Sequence, residues 1–166
     1  MIEQHFLKVS VDELLAFSAR IEDCVGRLNH DQVWTRNSNN ENAIGNLVLH
    51  LCGNARQWII SGVGGKPDVR NRDAEFAASG GMQPSELVQH LKTTVSEAVD
   101  VIRNLPPSRL METKTIQKHY DVTMMGAIYH VVGHFAQHTG QIIFVTKMLT
   151  GQDLGYYKHL NAAAQK

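Results

Sequence analysis

The segment from Thr123 to Thr150 constrains the fold more than any other part of the chain. Apolar residues recur along it at three- and four-residue intervals, which is the pattern of an amphipathic helix. Three histidines and two glutamines interrupt it between Met124 and Leu149, so it falls short of the roughly 18 uninterrupted apolar residues expected of a membrane span. We therefore predict one long helix that packs against other helices, with Gly151 ending it.

Three other segments share this helical pattern. Their apolar residues predict helices over residues 10–28, over residues 41–61, and from just after Pro84 to just before Pro106. Ser10 or Asp12 is the expected N-cap of the first helix. Residues 108–121 are mixed in character and suggest a short extended piece near residues 113–116.

The connectors complete this prediction. Residues 68–83 form a long polar link, which can cross the end of a helical bundle or carry a short helical turn. Four apolar helices without convincing strands predict an all-α four-helix bundle, and the length suits one domain over residues 1–166. The two long connectors argue against a simple up-down-up-down arrangement.

Charge and cysteine usage narrow the class of protein. Lysine plus arginine equals aspartate plus glutamate, at 16 each, whereas a protein that grips nucleic acid usually carries a basic excess. The N-terminus lacks the charged and apolar regions of a signal peptide. Cys24 and Cys52 form no pair motif, which suits a reducing compartment and two small buried residues. We expect a cytoplasmic protein that binds neither nucleic acid nor a membrane.

Histidine is unusually frequent, with nine residues, and two of these lie on the inner side of the fourth helix. His134 and His138 are four residues apart, so their side chains lie within about 40° of each other and can aim at one ion. The apolar residues on the same side are Ala127, Val131, Ile142 and Val145. This pair should therefore face the interior of the bundle.

A third metal ligand is available on the second helix. His50 lies between Leu47 and Leu51 on the apolar side of that helix. Because metal sites in bundles are assembled across facing helices, we predict a divalent metal site of His50, His134 and His138. The alternative is three core histidines, each of which would need partners for its ring nitrogens.

Neighbouring polar residues are candidates for supporting roles. His130 lies about 12 Å along the helix axis from His138, too far to share its ion, and either supports a ligand, faces a substrate or is a plain helix-edge residue. Gln141 lies on the same edge, and Asn54 lies one turn beyond His50; both can orient ligands or contact substrate. Cys52 should point away from the site. We expect the remaining histidines at the surface: His5, His30, His90, His119 and His159.

Two motifs resemble the DinB/YfiT-like family of metal-dependent enzymes. They are residues 46–54 (NLVLHLCGN) and residues 130–142 (HVVGHFAQHTGQI). The resemblance implies an up-down-down-up bundle, often dimeric, with a divalent metal on His50, His134 and His138. Such sites accept several metals, of which zinc or nickel is expected here. Characterised relatives include thiol transferases and isomerases that use a low-molecular-weight thiol such as bacillithiol, mycothiol or glutathione.

Three functions remain open from the sequence. Three imidazole ligands leave an open position on the metal, which favours a transferase that activates a low-molecular-weight thiol towards a small electrophile. A metal-dependent hydrolase is the second option, but Phe135 stands where metalloproteases carry their glutamate base. The third is a non-catalytic, metal-stabilised bundle with a binding or stress-response role. Because the ligands must be neutral, metal affinity should fall as the pH drops through about 6.

Overall fold

The computed structural model describes residues 1–38 and 40–158, most of which are helical. Within these residues the α-helices are α1 (Ile2–Gly26), α2 (His30–Trp34), α3 (Ile44–Ala55), α4 (Arg72–Ala77), α5 (Pro84–Arg103) and α6 (Met124–Thr150). A π-helical segment, Arg56–Val63, continues directly from α3, and Pro107–Arg109 form a 3-10 turn. Strands β1 (Thr113–Ile116) and β2 (Tyr120–Thr123) pair as a small antiparallel hairpin.

Contacts with α6 fix the direction of two of the long helices. The hydroxyl of Tyr156, just beyond the end of α6, donates to Asp23, near the end of α1, at 2.8 Å. The two helices therefore end on the same side of the bundle, so α1 and α6 are parallel. On α3, His50 contacts His134 whereas the later Asn54 contacts the earlier His130, so α3 and α6 are antiparallel.

The remaining directions follow from α5. Arg56 pairs with Glu97 at 3.4 Å, and Val63, seven residues later, lines a groove with Val101, so α3 and its π-helical extension run parallel to α5. The bundle is therefore up-down-down-up. Helix α1 packs against α5 and α6, as does α3, so α1 and α3 are diagonal to each other. Fully buried side chains from all four helices form the core, among them Leu14, Ile21, Leu51, Leu91, Ile102, Phe135 and Ile142.

The first helix begins earlier than its sequence pattern indicated. Helix α1 starts at Ile2, and the predicted caps lie inside it. The hydroxyl of Ser10 donates to the backbone carbonyl of Phe6, one turn earlier, and Asp12 pairs with Lys8. Leu7 is buried in the core, which explains why the helix extends towards the N-terminus.

The connectors contain more regular structure than the sequence suggested. Helix α2 lies in the first connector, where Asn29 and Gln32 form a capping box, and α4 is the short helical turn allowed for in the second. The extended piece at residues 113–116 is β1, and its partner β2 leads directly into α6. Gly151 ends α6 as predicted, with φ of 65°, in the left-handed region that glycine favours. Among the described residues, no helix has the length and apolarity to cross a membrane.

Candidate metal centre

The three predicted ligands converge on one point between α3 and α6. One ring nitrogen from each of His50, His134 and His138 lies within 4.8 Å of the others. The Nε2 atoms of His50 and His134 are 2.8 Å apart, and the ring centroids of His134 and His138 are 4.5 Å apart. His50 is buried, while the two α6 histidines are half-buried. The site is thus closed on the α3 side and open towards solvent on the α6 side.

A buried ion pair lies behind His50. The Nδ1 atom of His50 is 3.0 Å from Oε2 of Glu75, which belongs to α4. Arg70 holds that carboxylate with two bonds, from Nε to Oε1 at 2.7 Å and from Nη2 to Oε2 at 2.8 Å. Only 3% of the Arg70 side chain and 9% of the Glu75 side chain are exposed. Histidine ligands of metals commonly donate their second N–H to a carboxylate in this way.

Helix α3 is shaped to receive the segment that carries Glu75. The side-chain amide of Asn46 donates to the backbone carbonyls of Glu75 and Ala78, at 3.0 and 2.7 Å. A Cβ atom at Gly53 would lie 1.8 Å from Oε1 of Glu75, so no larger residue fits there without displacing the ion pair. The sequence prediction missed Arg70 and Glu75, because charged residues in a polar connector look solvated. Asn46 and Gly53, on an otherwise apolar helix, were the available signal.

The electrostatics favour neutral imidazoles beside one carboxylate. Burial, together with the neighbouring histidines, lowers the pKa of His134 to about 3. Burial also lowers the pKa of His138, although its bond with Gln141 opposes the shift. Burial alone would raise the pKa of Glu75, but the bonds from Arg70 and His50 outweigh that effect and lower it. Two histidines with lowered pKa values, a third histidine beside them and an ionised carboxylate behind that third ring are a donor set that fits a divalent cation.

The predicted supporting residues occupy two different places. Oε1 of Gln141 is 2.5 Å from Nδ1 of His138, so it contacts one of the three clustered histidines directly. Nδ2 of Asn54 is instead 3.3 Å from Nε2 of His130. The His130 ring is exposed and stacks on the indole of Trp58, with centroids 4.0 Å apart and planes inclined by 26°. His130 lies beside the cluster of three and is not part of it.

The other histidines and the cysteines lie away from this cluster. His5 and His119 are exposed as expected, but His30 and His90 are half-buried, which corrects that prediction; His159 lies outside the described residues. Burial lowers the pKa of His90, and nearby Arg56 adds to the shift.

Both cysteines are buried. Burial raises the pKa of Cys52 to about 12, so neither its position nor its protonation state suits metal binding.

This combination of an up-down-down-up bundle with three histidines clustered between its second and fourth long helices defines a protein with a DinB-like fold. The chain belongs to the family described as "Protein of unknown function (DUF1572)", whose family model matches residues 1–163. No match is found among curated proteins.

Solved structures share this fold at low sequence identity. A conserved protein from Enterococcus faecalis is 14% identical with a TM-score of 0.70, over 87% of this chain and 97% of that one. A DinB-like protein from Bacillus subtilis is 15% identical with a TM-score of 0.68, over 89% and 96%. A mutant of a mycothiol-dependent maleylpyruvate isomerase is 10% identical with a TM-score of 0.61, over 82% of this chain but 60% of the isomerase. At such identities the similarity establishes the fold.

Proposed function

We propose that this protein is a metal-dependent transferase that uses a low-molecular-weight thiol on a small electrophilic substrate. Its divalent ion, zinc or nickel, would be held by His50, His134 and His138. The observation that carries the proposal is the convergence of these three rings, whose ligand atoms lie within 4.8 Å of one another. Three neutral nitrogen ligands are typical of catalytic sites, because they leave one position open.

The chain's own residues would position the reactants. When bound, a divalent ion favours the thiolate form of a thiol, which is the nucleophilic form. The half-buried rings of His134 and His138 leave the centre accessible from the α6 side, where the exposed ring of His130, supported by the buried indole of Trp58, offers a flat face against which a substrate can lie. Gln141 would hold the ring of His138 through the contact with Nδ1.

The absence of a suitable protein thiol supports an external one. Cys24 and Cys52 are both buried, and the raised pKa of Cys52 keeps its sulfur protonated at neutral pH. Neither residue can therefore act as the nucleophile, and a thiol would have to enter from solution. The isomerase with a similar fold is described as mycothiol-dependent, which supports the choice of a low-molecular-weight thiol.

A hydrolase is less well supported by the geometry. Phe135 is fully buried, so the position after His134 offers no base. Glu75 contacts the ligand His50, but both of its oxygens are bound by Arg70, and its pKa is lowered. A carboxylate in these surroundings is a weak base for activating water.

The proposed form of the protein is a homodimer. The outer face of α6 exposes Tyr129, Phe144 and Met148 at 71%, 64% and 66%, and a Cβ atom added at Gly133 or Gly140 on the same helix would meet no neighbour within 4 Å. Exposed apolar residues on one helix are a common feature of protein interfaces. Light scattering after gel filtration should give twice the chain mass, whereas Phe144→Glu should give a monomer. A monomeric wild-type protein would contradict this assembly.

Elemental mass spectrometry on the untagged protein tests the metal site. We expect about one zinc or nickel per chain, lost in His138→Ala and retained in the matched control His119→Ala, whose ring is exposed on the hairpin. Turnover would then be measured with bacillithiol, mycothiol and glutathione against small electrophiles. A wild-type protein that neither contains nor takes up metal would refute the site. Metal that raises the melting temperature without turnover in any screen would instead favour the non-catalytic bundle.

A further inference from the structure

The contacts around Nδ1 of His50 permit two hydrogen-bonding arrangements. This nitrogen is 3.0 Å from Oε2 of Glu75 and 3.1 Å from Nη2 of Arg70. It can donate a proton to the carboxylate or accept one from the guanidinium, but it cannot do both.

The charge on the Glu75 carboxylate decides between these two hydrogen-bonding arrangements. An ionised Glu75 only accepts hydrogen bonds, so a bare Nδ1 lone pair facing it at 3.0 Å would be repelled. One of the two N–H groups on Nη2 of Arg70 already donates to the same oxygen at 2.8 Å, so the guanidinium stays bound to Glu75 without using the lone pair of Nδ1. The remaining guanidinium nitrogen, Nη1, donates to Gln57 at 3.0 Å. His50 therefore carries its proton on Nδ1.

We infer that Glu75, held by Arg70, is a positioning residue that fixes His50 in the Nδ1–H tautomer and so presents the Nε2 lone pair to the centre between α3 and α6. This inference rests on the proposed three-histidine metal site. The contact between His50 and His134 is compatible with it: their Nε2 atoms are 2.8 Å apart, which requires one donor and one acceptor, and in this tautomer His50 accepts while His134 donates. Neither Arg70 nor Glu75 is placed to touch the ion itself, because the ring of His50 lies between this ion pair and the other two histidines.

The ion pair is built into the fold as a rigid support. Gln57 accepts from Arg70, and Gln57 also contacts Gln117 from the hairpin, so the guanidinium is held from two sides. Asn46 anchors the backbone around Glu75, and Gly53 leaves the space that its carboxylate fills. A carboxylate fixed in this way limits both the rotation and the tautomer of the ring that it contacts.

Nitrogen NMR of the metal-free protein tests the tautomer directly. Protein labelled with ¹⁵N-histidine would be recorded at neutral pH, with the His50 signals assigned from a His50→Gln variant. We expect a protonated Nδ1 and an unprotonated Nε2 for His50 in the wild type, and loss of this preference in Glu75→Gln. The same change at an exposed arginine–glutamate pair, Glu112→Gln, should leave the His50 signals unchanged. A wild-type His50 with its proton on Nε2 would overturn the inference without any variant.

Zinc binding supplies the second readout. Glu75→Gln should weaken the affinity for Zn²⁺ by about 10- to 100-fold, while Glu112→Gln should leave it unchanged. If Glu75→Gln binds zinc as tightly as the wild type, Glu75 does not position the ligand. A wild-type protein that binds neither zinc nor nickel would refute the metal site, whereas the tautomer measurement would still decide the role of Glu75, so the two failures are distinguishable.

Discussion

The imidazole of His130 lies flat against the indole of Trp58, with ring centroids 4.0 Å apart. Trp58 comes from the π-helical segment that continues α3, and His130 lies one turn before His134 on α6. Irregular helical segments of this kind occur frequently at functional sites, where they redirect side chains. The His130 ring also lies 5.6 Å from the ring of His134, but its Nε2 faces Asn54, so it lies outside the cluster of three.

His130 should therefore be dispensable for metal binding. In His130→Ala we expect about one metal per chain and a zinc affinity within about threefold of wild type, because its Nε2 faces Asn54 and lies outside the cluster. Loss of one of the three proposed ligands in His134→Ala should abolish stoichiometric binding. Elemental analysis and zinc titration of both variants provide the measurement. If His130→Ala loses its metal, the ligand set assigned here is wrong.

Two glycine substitutions should have opposite effects on stability. At Gly53 a new Cβ would lie 1.8 Å from the Glu75 carboxylate, so Gly53→Ala should lower the free energy of unfolding by about 1–3 kcal/mol and also weaken zinc binding. At Gly133, in the exposed middle of α6, a Cβ meets nothing within 4 Å, and alanine should raise stability by up to about 1 kcal/mol.

Chemical denaturation of the metal-free proteins measures the change in the free energy of unfolding for both variants. Zinc titration then shows which of the two substitutions also changes the affinity for zinc. Gly133→Ala should leave zinc affinity unchanged because a Cβ atom at Gly133 would meet neither His50 nor His138. Equal stabilities for the two variants would mean that the Glu75 carboxylate does not occupy the space beside Gly53.

The stability of the metal-free protein should depend on pH through His134. In the unfolded chain this histidine titrates near pH 6.5, whereas burial lowers its pKa to about 3 in the folded protein. Between these values the unfolded state binds the additional proton, so stability should fall as the pH drops from about 6.5 towards 3, with no contribution from His134 above that range. His134→Gln removes this titration and should show a shallower decline. Identical pH profiles from urea denaturation, with a chelator present, would contradict the assignment.

The same shift alters the expected pH range of metal binding. Imidazoles with ordinary pKa values would lose a metal as the pH drops through about 6, which is the sequence-based prediction. Because burial lowers the pKa of both His134 and His138, protons compete less strongly with the metal. Metal release during acid titration should therefore occur at a lower pH than for a peptide carrying free histidines.

The sequence predicted the helices and the histidine cluster because both depend on local periodicity. Four-residue spacing fixes His134 and His138 on one side of α6, and the apolar neighbours of His50 turn it towards the same interior. Arg70 and Glu75 were not predictable in this way, since their burial depends on how a long connector docks onto α3. The change from α- to π-helix at Arg56 likewise has no simple periodic signal.

Asn46 should couple the docking of α4 to the proposed metal site. Its amide donates to the carbonyls of Glu75 and Ala78, and its Oδ1 accepts from the backbone N–H of Ala43 at 3.1 Å, all with the side chain fully buried. Asn46→Ala leaves these groups without their partner, which should cost about 1–3 kcal/mol of stability. It should also speed hydrogen exchange across residues 72–78 and weaken zinc binding, because Glu75 is no longer held against His50.

A matched control for this coupling is Asn104→Ala. Its amide also donates to a backbone carbonyl, that of Asp100, at 2.8 Å, but on the exposed end of α5. We expect only a small loss of stability there and no change in zinc affinity or in the exchange of residues 72–78. If Asn46→Ala destabilises the protein while zinc affinity and exchange in α4 stay at wild-type values, Asn46 only stabilises the start of α3, and the connector is independent of the site.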